Sequence, residues 1–204
     1  MKTRSAIATL VLLAATGSAF AQSEQTSFFV TSVNPGDGGD LGGLEGADAY
    51  CSELAEAAGI EGKTWRAYLS SSAEDARDRI GNGPWYNVKG VKVAENVDDL
   101  HSENNKLSKE NSLTETGEIV SGRGDTPNRH DVLTGSDLEG RLEGDACADW
   151  TSSDEGSAMV GHHDRTGGGA HPTSWLSAHG SKGCSMEKLQ ATGGDGLFYC
   201  FAAE

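Results

Sequence analysis

The sequence is short of basic residues, with 16 Lys and Arg against 31 Asp and Glu. A chain so acidic repels nucleic acid, heparin-like polyanions and anionic lipid, and it favours cations or neutral ligands. It has little aromatic content (6%), four prolines, and no apolar run of the roughly 20 residues that a membrane helix needs. No Cys-x-x-Cys or Cys/His spacing marks a structural zinc site. No Gly-x-Ser-x-Gly elbow marks an activated serine. No histidine occurs before Leu100. Repeats and heptads are absent too, so solenoids and coiled coils are excluded.

The longest apolar stretch, Ala6 to Ala15, follows Lys2 and Arg4 and precedes Ala19-Phe20-Ala21. That is the layout of a secretory signal peptide over residues 1–21, cleaved before Gln22. The expectation is an exported protein, periplasmic or secreted, with one domain over residues 22–204 and no membrane insertion. Removing the leader takes away two basic residues and no acidic ones, which leaves a net charge of −17. The same acidity also serves solubility. Four cysteines remain, Cys51, Cys147, Cys184 and Cys200. An even count in an oxidising compartment reads as two disulfides, with three pairings open.

Residues 27–33 are β-prone and predict an opening strand. Cys51, Leu54, Ala55 and Ala58 fall at helical spacing, with Asp48 in the first turn and Gly59 just past the end, so Cys51 faces inward. Trp65 to Leu69 alternates like a half-buried strand. Ser71 and Glu74 fit a capping box for a short helix reaching Ile80. Two short strand-like pieces flank Gly90. Residues 98–128 are polar and predict a long surface excursion, and residues 151–183 form a second Gly-, Ser- and His-rich stretch. Gly193 to Gly196 reads as a turn before a buried strand, Leu197 to Phe201. The fold class is α+β: a loop-rich mixed sheet with two helices and two disulfides.

Several of these pieces together resemble the endostatin domains of multiplexin collagens. They are Gly46-Ala47-Asp48-Ala49-Tyr50-Cys51, Trp65-Arg66-Ala67-Tyr68-Leu69-Ser70-Ser71, Tyr86-Asn87-Val88-Lys89, Leu142 to Trp150, and Leu197-Phe198-Tyr199-Cys200. The resemblance covers both ends and the middle of the chain but not the two polar excursions. It implies a C-type-lectin-like fold with nested disulfides, Cys51–Cys200 and Cys147–Cys184. The family's sites carry over less well than its fold. The Glu-Pro-Asn, Gln-Pro-Asp and Trp-Asn-Asp tripeptides of calcium-dependent lectins are missing. An amino-terminal zinc site finds no histidine, and an arginine-rich heparin surface is ruled out by charge.

The candidate ligand-contact residues are Asp131, Trp150, His162, His163, Asp164, Arg165 and Trp175. Aromatic faces can stack on sugar rings while His and carboxylates bond hydroxyls. Gly and Ser neighbours predict that the two adjacent histidines sit on loops, solvated or locally bonded. Asp37 and Asp40, in a Gly-rich loop, offer oxygens that calcium could use, though the same residues make ordinary turns. No other metal ligands and no catalytic set are assigned. Arg123-Gly124-Asp125 spells the integrin tripeptide, which short chance matches also produce. The leading expectation is an exported lectin-like module that binds a glycan or protein without catalysis. The alternatives are a structural envelope module, and a metal-dependent hydrolase built on the His-rich loops.

Overall fold

The computed structural model describes residues 24–204; the proposed leader lies outside the described residues. Among the described residues the fold is mixed α+β, with five helical segments of four residues or more, a mixed sheet and two disulfides. Among the described residues no helix is long and apolar enough to cross a membrane.

Among the described residues eight strands follow in chain order: β1 (Phe28–Val30), β2 (Trp65–Ala67), β3 (Trp85–Tyr86), β4 (Lys92–Ala94), β5 (Asp131–Leu133), β6 (Met159–His162), β7 (His179–Gly180) and β8 (Gly194–Ala202). The last is the hub. Antiparallel β1 takes one edge of β8, while antiparallel β2 and parallel β5 share the other; β6 and β7 then continue the sheet from β5. A strand paired on both edges and covered on both faces should read as a continuous apolar run, and Leu197 to Phe201 does so. Its side chains alternate between two cores. Phe198 and Cys200 join Phe29, Trp65 and Trp150 on one face, whereas Leu197, Tyr199 and Phe201 join Phe28, Tyr68, Trp85 and Trp175 on the other.

The first core is roofed by α1 (Gly43–Ala57), through Ala47, Asp48, Cys51 and Ala55. This helix starts about a turn earlier than its apolar spacing suggests. Asp48 therefore lies inside it, and its carboxylate turns into the core. Cys51 pairs with Cys200 and Cys147 with Cys184, the nested pattern that the endostatin resemblance implies. Closing loops of 149 and 37 residues stabilises the fold by about 5 and about 4 kcal/mol in the chain-entropy model.

The remaining helical segments are α2 (Ala76–Arg79), α3 (Val97–Leu100), α4 (Ala146–Trp150) and α5 (Met186–Gln190). Each is about one turn, too short to leave a periodic signal, which is why the sequence suggests only two helices. Ser71 Oγ does accept from the Glu74 amide, but the Glu74 carboxylate bonds Arg79, and the helix starts later, at Ala76. Asn96 caps α3 and Ser185 caps α5. The α4 segment is left-handed: φ runs from 45° at Ala146 to 68° at Trp150. Non-glycine residues there cost roughly 1–2 kcal/mol each. The Cys147–Cys184 bridge and a hydrogen bond from Trp150 Nε1 to Ser70 O (2.9 Å) hold the turn in place.

The 98–128 excursion is not merely decoration. Leu100, Leu107, Leu113 and Val120 are buried, and Thr114 bridges to Val30 of β1. Scattered single anchors give no period, so the segment looks featureless in sequence. The expected turn at Gly193 to Gly196 also moves, since β8 already begins at Gly194.

Candidate functional site

The sheet brings together a cluster of histidines and aspartates at β5, β6 and β7. Asp131 opens β5 opposite His162 on β6, and His179 on β7 lies opposite Val160, two residues from His162. Residues opposite each other, or two apart, share a face of a sheet. Asp131, His162 and His179 therefore project to the same side of three neighbouring strands. His130, just before β5, stacks its ring on that of His162, with centroids 4.3 Å apart and planes 14° from parallel.

Asp131 Oδ1 lies 3.1 Å from His130 Nε2, 3.3 Å from His162 Nε2 and 3.6 Å from His179 Nε2. The carboxylate is 2% exposed and His162 is fully buried. None of these approaches has hydrogen-bond geometry: both Asp131 oxygens and His162 Nε2 lack a hydrogen-bond partner. Burial alone would raise the Asp131 pKa, but contacts with His162, His179 and the charge of His130 outweigh it and hold the carboxyl at about 2. Burial would lower the His130 pKa; Asp164 and Asp131 beside it more than compensate, and it rises.

The other ring nitrogens face acceptors. His162 Nδ1 lies 2.8 Å from Pro172 O, His179 Nδ1 3.1 Å from Gly180 O, and His130 Nδ1 3.3 Å from Thr166 O. Asp164 adds a carboxylate 3.6 Å from His130 Nδ1, and its own oxygens accept from the Arg123 and Thr166 amides. Two glycines make room for the rings. A Cβ on Gly167 would collide with His162, and one on Gly193 (φ +111°) would come within 2.8 Å of His130.

The two adjacent histidines are buried, in contrast to the expected solvated loop, because Met159 to His162 forms an inner strand of the sheet. They do diverge as neighbours on a strand must. His162 turns to Asp131, whereas His163 turns to Ser121 O (3.3 Å), and burial lowers its pKa. Trp150 and Trp175 are core residues, 0% and 2% exposed. Trp150 fills space beside Gly135, and Trp175 packs against Tyr68 and Tyr199. Neither offers the open ring face that sugar stacking requires. Asp37 and Asp40 are exposed at a tight loop, where Asp40 accepts from the Gly42 amide, a turn role.

Arg165 follows the cluster in a left-handed conformation (φ +56°), and its guanidinium bonds Asn105 Oδ1 (3.0 Å) and Glu103 (3.2 Å). It lines a cleft of about 440 Å³ between the 101–105 loop and the 170–176 loop, with His101, Leu138 and His171.

The sequence places His130-Asp131 and His179 with His162 to Arg165 in one His-rich polar set, but nothing in it joins His130 and His179 to Asp131 as partners, and it assigns the set no metal. The available signal was weak: a His-Asp pair leading directly into the apolar Val132-Leu133, hence into a buried strand. Among the described residues His130, Asp131 and His162 form a group whose donor atoms lie within 4.8 Å of one another, close enough to hold one ion. Comparison of the sequence with protein-family models and with curated proteins gives no match.

Proposed function

We propose that the protein is an exported recognition module of C-type-lectin-like fold that binds a glycan or a protein ligand through its loop surface, without catalysis. The observation that supports this reading most is the Arg165 cleft. It offers a guanidinium, amide, carboxylate and imidazole groups around the apolar Leu138, on loops braced by a sheet and two disulfides. Sites of this kind, mixing a few fixed polar groups with an apolar wall, bind small polar molecules. Arg165 also occupies a backbone region that costs a non-glycine residue energy, and such positions cluster at binding sites. The order of the four cysteines and the endostatin-like motifs support the fold assignment.

The test is retention of glycans and of cell-envelope fractions on the immobilised protein, with and without calcium. The expected result is a retained ligand whose binding falls at least about tenfold in Arg165→Ala, about 1.4 kcal/mol. Retention of nothing by the wild type rejects the reading.

A further inference from the structure

We propose that His130, Asp131 and His162 bind one zinc-class divalent ion, each through a single donor atom, with His179 at the rim of the site. Asp131 carries the first argument. An ionised carboxylate this deeply buried costs several kcal/mol unless paired or bonded, and both its oxygens lack a hydrogen-bond partner. What surrounds it instead is three imidazole Nε2 atoms.

The spacing of these atoms is the second argument. Zinc bonds of about 2.0–2.2 Å in a tetrahedron place neighbouring donors about 3.3–3.6 Å apart. The Nε2 atoms of His130 and His162 stand 3.1 and 3.3 Å from Asp131 Oδ1, and the donor atoms of the three residues all lie within 4.8 Å of one another.

Ring orientation supplies the third. The Nδ1 atoms of His130 and His162 face backbone carbonyls, which only accept, and this leaves Nε2 as the atom each ring turns towards Asp131. Orientation of a metal-bound imidazole by an acceptor at its other nitrogen is the usual outer arrangement of such sites, and Asp164 extends it for His130. Two imidazoles and one carboxylate suit zinc and its borderline neighbours, whereas calcium and magnesium prefer all-oxygen sets. The His179 side chain, 24% exposed, marks the side from which the ion enters.

The site is tested on the full chain, dialysed against chelator, by calorimetric titration with zinc alone and by visible absorption with cobalt(II) alone. The expected result is one ion per chain and an intense four-coordinate cobalt spectrum. His130→Ala, the less deeply buried of the two histidines, should keep its fold by circular dichroism and weaken zinc at least about tenfold. Wild type that takes up no zinc, a weak six-coordinate cobalt spectrum, or unchanged affinity in folded His130→Ala each overturn the proposal.

Discussion

Asp48 on α1 and Arg79 on α2 form a two-pronged ion pair inside the fold, with Nη1–Oδ1 at 3.0 Å and Nη2–Oδ2 at 2.8 Å. The same carboxylate accepts from the Ala67 amide (2.8 Å), and Arg79 Nη1 also donates to Ala67 O (2.6 Å). Helix, sheet and the following turn are thus tied at one point. Removing one partner strands the other charge out of water. Asp48→Ala should therefore lose about 3–5 kcal/mol of unfolding free energy. Arg66 also reaches Asp48 (2.7 Å), but its side chain is 43% exposed, so Arg66→Ala should lose no more than about 1 kcal/mol. Urea titrations of both variants check the contrast; equal losses would contradict it.

The left-handed α4 turn gives a prediction of unusual sign. Ala148 is exposed, with φ 53°. Glycine accepts that conformation without the side-chain penalty, so Ala148→Gly should raise stability by up to about 1 kcal/mol. In a right-handed helix the same change would lower it by a similar amount. The direction of the shift in the denaturation midpoint decides which hand the segment has.

His101 should make stability fall on acidification. Burial lowers its pKa, the carbonyl of Val97 and the carboxylates of Asp98 and Asp137 oppose that, and Arg77 reinforces it. Its Nε2 lies 2.6 Å from the Tyr68 hydroxyl, whose proton it accepts when neutral. A histidine whose folded pKa is depressed binds its proton more readily when unfolded. Its contribution is present in full above about 6.5 and is lost as pH falls from there through the folded value. Unfolding measured between pH 8 and 5 should show a shallower decline in His101→Phe than in the wild type. Parallel curves would contradict it.

How much of this could be read from the sequence depended on whether a residue's partners are local. The helix carrying Cys51 shows its apolar spacing within a few turns, and β8 shows its burial as an unbroken apolar run. The Asp48–Arg79 pair joins residues 31 apart, and nothing in either neighbourhood marks them as partners. The histidine cluster is harder still. His130, His162 and His179 meet Asp131 only because β5, β6 and β7 adopt one register, and a slip of one residue would turn His162 to the opposite face. Gly161, Gly167 and Gly169 near these histidines suggest loops by composition. At Gly161 the glycine instead lets the Trp175 backbone lie against β6, and composition alone does not separate those uses.

X-ray absorption at the zinc edge, recorded on the zinc-loaded protein, tests the convergence of these strands on one ion most directly. The expected spectrum has a four-atom nitrogen and oxygen shell at about 2.0–2.1 Å, with the outer-ring scattering of two imidazoles and the loss of one ring in His130→Ala. A six-oxygen shell, or scattering from a single histidine, would contradict it.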